Sequence, residues 1–308
     1  MLRLGLCCKF ASEPIKFRDT TAAALARMPQ KLRAEKLAEL CLANADALLS
    51  AINYCAASGI GCFRINSRIL PLYTHPKFGY TLNQLPNGTA IRKAFVKCRA
   101  AASELDIRLT FHPDQFILLN SPGTSIVRAS VKELKYQAMM SELVGADVIT
   151  IHAGGAYGDK PAALHRFERA FARLPKNIRA RLAVENDDRL YTPSDLLPLC
   201  KKLNLPFVYD VHHHRCNPDG MSEELASKEA LKTWDREPLF HVSSPKYGWK
   251  SGNPRPHADF INPADFPASW QRMNVTVEVE AKAKELALKK LISLFKKSKI
   301  HNPKPHKL

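Results

Sequence analysis

Short apolar segments alternate with longer amphipathic segments along almost the whole chain, and this alternation constrains the fold more than any other feature. Eight of the apolar segments are too short for helices and are typical of buried strands. The predicted strands are residues 2–6, 62–65, 107–111, 148–151, 182–184, 207–209, 239–242 and 275–279. Strands that alternate with helices usually pair in parallel, so the sequence predicts a parallel sheet.

Between the strands, apolar residues recur at helical spacing. The predicted helices are residues 29–57, 90–105, 126–144, 162–174, 194–203, 223–233 and 282–297, with Ser194 as the expected cap of the fifth. Residues 16–26, 69–87 and 244–262 are expected to form loops. Eight strand-then-helix units, of which the seventh has a weak helix, predict an α/β fold, a closed (β/α)8 TIM barrel. A doubly wound open sheet is the alternative, but no glycine-rich phosphate loop follows the first strand.

A chain of this length could form one barrel or two modest domains. The 308 residues contain no low-complexity linker, so residues 1–295 are expected to form the barrel and residues 296–308 a basic, disordered tail. No apolar stretch approaches the length of a membrane span, and the first residues are too short for a signal sequence. The eight cysteines show no CxxC pair, which favours reduced thiols in a cytoplasmic protein. A bacterial-type, nucleoid-associated location is a further expectation.

The balance of charges points to a polyanionic partner. Lysine and arginine total 46 against 29 aspartate and glutamate residues, which leaves a net charge of +17. Such a field favours nucleic acid first and an anionic membrane surface second. We therefore expect a nucleic-acid partner and no membrane, with a basic but otherwise ordinary enzyme as the alternative.

Histidines and carboxylates stand where six successive strands end. They are His112, His152, Glu185, Asp210 with His213, His241 and Glu280. In a parallel barrel the carboxyl ends of all strands meet at one rim, where active sites are built. These side chains therefore predict a multi-metal site rather than a set of separate structural histidines. Their nitrogen and oxygen atoms suit Mn, Zn or Fe.

A site with two or more divalent ions is typical of phosphoester hydrolysis. The ions acidify a bound water, hold the phosphate and neutralise the leaving oxygen. Together with the net charge of +17, this predicts a DNA or RNA phosphodiester as the substrate.

Five motifs occur in one order along the chain. They are Phe111-His-Pro-Asp-Gln-Phe116, Ile151-His-Ala-Gly-Gly-Ala-Tyr-Gly158, Val184-Glu-Asn-Asp-Asp188, Asp210-Val-His-His213 and Val279-Glu-Ala-Lys282. Together they resemble the UV damage endonucleases, relatives of the endonuclease IV barrel, and the resemblance extends from Arg3 to about Leu286. That family nicks double-stranded DNA immediately 5′ to a photolesion, without ATP, and leaves a 3′-hydroxyl. The resemblance thus implies lesion-containing DNA as the partner and no nucleotide cofactor.

The resemblance also implies a centre of two to three divalent ions, Mn first, with Zn, Mg or Fe as alternatives. Glu185 would bridge two of the ions, and His112 and His152 would complete one of those sites. The other site would be completed by Asp210, His241 and Glu280, and a third ion would be held by His213 and His257.

The implied catalytic residues are Glu185, Asp210, Glu280 and Lys282. Lys282 has two interpretations, because it would either act in catalysis or pair with a carboxylate. Some family members carry a modified lysine two residues before the histidine of the seventh strand. Leu239 stands at that position here, which leaves a lysine-derived carbamate out of the site. A second departure is Leu6, which replaces an aromatic residue that often follows Leu-Gly in the first strand.

Gln115 and Phe116 align with the family's lesion probe, a glutamine and a tyrosine that fill the gap left by the damaged pair. A wedge there would act on a photodimer, which is cheap to unstack. The alternative is that Phe116, which lacks the hydroxyl of tyrosine, is a core aromatic just beyond the third strand. Further expected contacts to DNA or the lesion are His75, Tyr157, Lys246, Lys250 and Arg255. His75 would alternatively be a solvent-exposed loop histidine.

Three other functions compete with this interpretation. An abasic-site endonuclease of endonuclease IV type would use the same chemistry on another lesion. A metal-dependent sugar isomerase or small-molecule oxidoreductase would use a similar barrel, but it would not need the net charge or the long basic loops. A damage-binding protein with degraded catalysis would not need every expected carboxylate, and this chain keeps them all.

Overall fold

Eight parallel strands close into a barrel in the order of the sequence. The computed structural model describes residues 1–113 and 116–301, with the side chains of 298–301 left aside. The strands are β1 (Arg3–Cys7), β2 (Cys62–Ile65), β3 (Arg108–Phe111), β4 (Val148–His152), β5 (Leu182–Glu185), β6 (Phe207–Asp210), β7 (Leu239–Val242) and β8 (Thr276–Val279). Because β8 pairs with β1, the sheet has no free edge. The predicted TIM barrel is confirmed, and its closure excludes the doubly wound open sheet.

Helices cover the outside of the barrel, as a parallel sheet requires. Within the described residues they are α1 (Ala22–Ala26), α2 (Gln30–Ala57), α3 (Gly88–Glu104), α4 (Thr124–Val144), α5 (Lys160–Ala172), α6 (Lys176–Arg179), α7 (Pro193–Leu203), α8 (Val211–Cys216), α9 (Glu223–Leu231) and α10 (Lys284–His301). Residues 243–275, all of them described, contain only two 3-10 turns, Pro263–Asp265 and Ala268–Arg272. The weak seventh helix of the prediction is therefore replaced by these turns.

Short helices account for most of the differences from the sequence-based expectation. α1 lies in the segment expected to be a loop, and the Thr21 hydroxyl caps it by accepting from the Ala24 amide at 3.1 Å. α6 and α8 have four and six residues, too few to show a helical period in the sequence. α8 begins directly after β6, so three consecutive histidines that the sequence left unassigned to an element are helical.

The N-terminus of α7 also differs from the prediction. The capping residue is Thr192 and not Ser194, because the helix begins one residue earlier, at Pro193. The Thr192 hydroxyl accepts from the Asp195 amide, and the Asp195 carboxylate accepts from the Thr192 amide at 2.9 Å. This reciprocal pair is a capping box, in which each side chain satisfies a backbone donor that the first turn leaves open.

Side chains alternate between the barrel interior and the helix layer, because successive residues of a strand point to opposite sides. Inward-facing residues of four neighbouring strands form a small buried apolar cluster, Val148, Ala183, Val208 and Leu239. This apolar floor closes the barrel beneath the rim. Leu239 therefore contributes packing two residues before His241, and its side chain has no ligand atom.

α2 is long and apolar enough to cross a membrane by length and composition. Half of its most apolar window is buried inside the molecule, where Leu48, Ile52 and Cys55 pack into the core. The sequence-based statement that no stretch approaches such a length is thus corrected. α2 is therefore one of the outer helices of the barrel, and its apolar face packs against the core.

α10 continues to His301 and so enters the segment that was expected to be a disordered tail. Its Leu288 and Leu291 are buried against the barrel. Residues 302–308 lie outside the described residues, so a disordered tail stays a prediction for them.

Candidate metal centre

The rim end of the barrel interior carries imidazoles and carboxylates. Glu185 is the last residue of β5 and Asp210 the last of β6, while His241 lies one residue before the end of β7. Each of the three comes two residues after a member of the apolar floor, so strand alternation turns each toward the interior. His152 ends β4, and His112 follows β3 directly. The barrel therefore brings these five predicted ligands together.

One group of converging ligand atoms consists of His112, His152 and Glu185. His112 Nε2 lies 2.8 Å from Glu185 Oε2, and His152 Nε2 lies 3.7 Å from the same oxygen. The two rings are partly buried, with 5.2 Å between their centroids. These three residues are the set that the sequence assigned to one ion.

Glu185 also belongs to a second group, with Asp210 and His241. His241 Nδ1 lies 2.9 Å from Glu185 Oε1, the oxygen that His112 does not contact. All three side chains are fully buried. One carboxylate thus offers each of its oxygens to a different set of ligands, as a bridging residue must.

Three buried atoms in these groups lack a well-aligned hydrogen-bond partner, namely Asp210 Oδ2, His152 Nδ1 and His241 Nε2. Asp210 Oδ1 accepts from the His213 amide at 2.8 Å, at the start of α8, which leaves Oδ2 for another ligand. A buried charged oxygen without a partner is costly. A divalent cation would remove that cost, and ligands that offer only nitrogen and oxygen suit Mn, Fe or Zn. The residues present therefore fit such ions.

The electrostatics of the site favour positive charge at its centre. Burial acts to raise the pKa of Glu185, but the imidazoles of His241 and His152 outweigh it and hold the pKa well below its ordinary value. Burial acts to lower the pKa of His241, but the carboxylates of Glu185 and Glu278 outweigh it and raise the pKa well above its usual range. Stabilised positive charge is the electrostatic requirement for binding a cation.

Glu280 lies beside the second group and is shared among several cationic side chains. Its Oε1 accepts from Arg64 Nη1 at 2.6 Å and lies 3.5 Å from His241 Nδ1. Its Oε2 lies 3.5 Å from His257 Nδ1. Glu280 is thus within reach of the site, but in this arrangement it does not belong to either converging group.

His213 and His257 were the ligands expected for a third ion. His213 Nδ1 lies 3.3 Å from Glu185 Oε1, which places it next to the two groups. The His213 and His257 rings are 6.3 Å apart. Among the residues that the structure describes, the two do not complete a third group of converging ligand atoms. A third ion stays a prediction.

Two residues that the sequence-based reasoning missed support the candidate ligands, the buried Glu278 and the partly buried Arg64. His241 Nε2 lies 3.0 Å from Glu278 Oε2, an ion-pair contact rather than a well-aligned hydrogen bond, and this leaves Nδ1 facing Glu185. Arg64 Nη1 lies 3.2 Å from Glu278 Oε2. A signal for Glu278 was present, because the period of two that points Glu280 inward does the same for Glu278.

The three consecutive histidines of α8 point in three directions. Only His213 faces the metal groups. His212 Nε2 lies 3.1 Å from the backbone oxygen of Arg255 and so ties α8 to the basic loop. His214 is buried, with its Nδ1 2.8 Å from the Tyr209 hydroxyl. One of the three is therefore placed for ligation, and the other two fix α8 and the loop.

A cavity of about 520 Å³ opens above the two groups. Arg64 and Arg255 line it together with His112, His152, Glu185, His213, His257 and Glu280. Arg255 Nε lies 3.3 Å from Asp188 Oδ2, so part of its charge is already compensated. Arg64 is paired with Glu280 and Glu278, so Arg255 is the guanidinium group better placed for an anionic substrate such as a phosphodiester.

The basic loop 244–262 lies at the rim, and its backbone is held by the pairing of Pro245 with His257. Lys246 and Lys250 are exposed, and the Lys246 ammonium lies 5.1 Å from the ring centre of Tyr247, which is also exposed. The structure therefore presents these two predicted DNA contacts to solvent at the rim.

The residues expected at the lesion lie beside the loop after β3. Phe116 is 83% exposed, so the alternative that it is a core aromatic is wrong. Phe116 and His75 line one cavity of about 440 Å³. His75 is partly buried, and its Nδ1 accepts from the amides of Lys77 and Phe78 at 3.1 Å each. Gln115 lies outside the described residues.

Tyr157 and Lys282 are both at the surface. Tyr157 is 44% exposed, and the guanidinium of Arg166 lies 5.5 Å from its ring centre. Lys282 is exposed, and its amide donates to the Ala258 oxygen at 3.0 Å. Within the described part of the chain no carboxylate pairs with the Lys282 ammonium, so the structural alternative for this residue has no support.

The sequence and the fold both match known proteins. Residues 2–308 match the family described as UV-endonuclease UvdE. A UV DNA damage endonuclease of Bacillus velezensis is 33% identical over 297 residues, which cover 92% of this chain and 90% of that protein. The solved structure of SacUVDE matches with a TM-score of 0.87 at 27% identity, covering 97% of this chain and 99% of that one. Endonuclease IV from Thermus thermophilus shares the fold, with a TM-score of 0.61, 15% identity, and coverage of 96% and 99%.

Proposed function

This chain belongs to the UV-endonuclease UvdE family, and we propose that it is a metal-dependent DNA repair endonuclease. Its substrate is double-stranded DNA that carries a UV photolesion. It cuts the phosphodiester bond on the 5′ side of the lesion and leaves a 3′-hydroxyl. The observation that carries this proposal is Glu185, whose two carboxylate oxygens serve two groups of ligand atoms beneath an open cavity.

In this proposal the centre holds two divalent ions, with Mn preferred over Zn, Mg or Fe. Glu185 serves both ions, His112 and His152 complete one site, and Asp210 and His241 complete the other. When bound, such ions supply an activated water and stabilise charge on the phosphate. Glu280 is close enough to join the second site, and His213 with His257 are the proposed ligands of a third ion.

The chain's own residues hold the substrate against this centre. Arg255 lines the cavity wall and binds the phosphate next to the cut. Lys246 and Lys250 neutralise phosphates farther along the duplex. Lys282 is exposed just after β8 and is kept as a catalytic candidate, because no carboxylate among the described residues forms an ion pair with its ammonium group.

The proposed lesion contacts lie on the same rim. Phe116 inserts its exposed ring where the damaged pair leaves a gap, because a photodimer stacks poorly and is cheap to extrude. His75 lines the same cavity as Phe116, and Tyr157 extends the surface on the β4 side. Because the proposed substrate is DNA, we also propose that the protein is cytoplasmic and associated with the nucleoid.

The test uses end-labelled duplexes that each hold one defined lesion, a photodimer or an abasic site, with an undamaged duplex as control. The protein is stripped with a chelator and reloaded with Mn, Zn, Mg or Fe. We expect a nick directly 5′ to the photodimer, with a product end that a polymerase extends. Cutting of the abasic duplex alone would indicate an endonuclease IV type of activity instead. A metal-loaded protein that cuts none of them would contradict an endonuclease.

A further inference from the structure

A groove on the outer flank of the barrel is lined by four arginines. It lies between α4 and α5 and has a volume of about 470 Å³. We call it the arginine groove, after Arg128 of α4 and Arg166, Arg169 and Arg173 at α5 and its C-cap. None of these residues belongs to the metal centre or to the basic loop.

The spacing of the α5 arginines places them on one face of the helix. Arg166, Arg169 and Arg173 follow each other by three and four residues, the spacing of neighbours on a helix surface. The apolar side of the groove is supplied by residues such as Leu119 and Leu174, both buried. α5 runs away from the rim, so the stripe descends the flank by roughly 10 Å at a rise of about 1.5 Å per residue.

The positive charge of the groove is not compensated by the protein. None of the four arginines forms an ion pair within the described residues, whereas Arg108 pairs with Asp147. Like charges at a spacing of four on one helix face repel each other and destabilise the helix slightly. Four neighbouring guanidinium groups without ion-pair partners are therefore available to bind an anion from outside the protein. The planar guanidinium group can donate two parallel hydrogen bonds to phosphate oxygens.

The groove is continuous with the rim where the proposed substrate binds. Arg166 Nε donates to the Asn120 oxygen at 2.8 Å, and its guanidinium lies over the ring of Tyr157. Asn120 in turn donates to the Gly155 oxygen at 2.6 Å, in the loop that carries Tyr157. Arg166 thus joins the groove to a residue proposed to contact DNA.

We propose that the arginine groove binds phosphates of the duplex arm that leaves the lesion on the β3–β4 side of the rim. This inference rests on the proposed function and extends its substrate contacts beyond the rim. A duplex arm fits better than an acidic protein, because Arg166 joins the groove to Tyr157 at the rim where the proposed substrate binds. Arg169 and Arg173 are exposed and lie farthest from the rim, so they contact the arm only when it is long enough to reach them.

The test measures binding of a photodimer duplex whose arms are lengthened in turn by one helical repeat, about 10 base pairs. The variant is R169Q/R173Q, and the matched control is K93Q/K97Q. The control removes two exposed positive charges at the same spacing of four from α3, outside the groove. Thermal unfolding of all three proteins shows whether each variant is folded.

We expect the affinity of the parent to rise when one of the two arms passes a certain length. R169Q/R173Q should lose that gain, and K93Q/K97Q should keep it. Two lost phosphate contacts should lower the log–log salt slope on the long-arm duplex by about 1.8, since each contact contributes about 0.9. The advantage of the parent over the variant should then shrink roughly tenfold between about 50 and 200 mM salt.

Equal affinity and equal salt slope for the parent and R169Q/R173Q on every long-arm duplex would overturn the inference. An acidic protein would then be the alternative ligand of the groove. A loss of the same size in K93Q/K97Q would also overturn it, because the effect would then be one of net charge. A parent that binds the duplexes but nicks none contradicts the proposed function alone, since the comparison of arm lengths needs only binding.

Discussion

Phe116 holds a large apolar ring in solvent at the rim, with 83% of its surface exposed. In the proposed complex the ring replaces the stacking of an extruded base. Such stacking is worth roughly 1–3 kcal/mol by alanine substitution, and about 1.4 kcal/mol corresponds to a tenfold change in binding. We therefore expect Phe116→Ala to lower the preference for lesion duplex over plain duplex by roughly one to two decades. A competition assay in a metal that does not support cutting measures this preference.

The matched variant is Phe116→Tyr, which keeps the ring and restores the hydroxyl of the family's tyrosine. It should discriminate like the parent. Affinity for plain duplex should hardly change in either variant, because it depends on phosphate contacts. If Phe116→Ala prefers the lesion duplex as strongly as the parent does, Phe116 is not a wedge.

The convergence of the candidate ligands could be predicted from the sequence because strand ends meet at one rim, but the direction of each side chain could not. His212, His213 and His214 form one cluster in the sequence, and α8 turns them to three different partners. Their directions depend on a six-residue helix that shows no period of its own. Glu278 was missed for a different reason: its partner His241 is distant in sequence, so only the folded strand order identifies the contact.

The capping box of α7 holds an element that follows β5, the strand that ends in Glu185. Thr192→Ala removes the hydroxyl that accepts from the Asp195 amide, so we expect a loss of about 1 kcal/mol in the free energy of unfolding. Thr192→Ser retains a hydroxyl and should lose little. Urea unfolding of the parent and both variants measures the difference. An alanine variant as stable as the parent would show that the cap does not contribute.

Long helices with a clear apolar period were predicted well from the sequence, and short helices were not. α2 and α4 extend over many turns, so their apolar spacing stood out in the sequence, and their observed bounds lie within two residues of the expected ones. α1, α6 and α8 have six residues or fewer and are fixed by caps and tertiary contacts. The cap of α7 was misassigned by two residues because Thr192, Ser194 and Asp195 all suit the start of a helix.

Closure of the barrel brings together residues that are far apart in the chain. His112 and Glu280 come from opposite ends of the strand order β3 to β8, and both line the same cavity. The sequence could predict this gathering once eight strand-and-helix units were recognised. It could not predict the separation of His213 and His257, because the path of a long loop determines where His257 lies.

Glu185 is proposed to serve two metal sites, and the metal content of a Glu185 variant tests this sharing. The measurement is equilibrium dialysis of the parent, His112→Asn and Glu185→Gln against Mn, followed by metal analysis and a nicking assay on the photodimer duplex. Each histidine serves one group and Glu185 serves both. His112→Asn should therefore lose the ion of its own group, whereas Glu185→Gln should lose both ions and all nicking. Parent-like metal content with near-normal nicking in Glu185→Gln would show that Glu185 does not serve two ions.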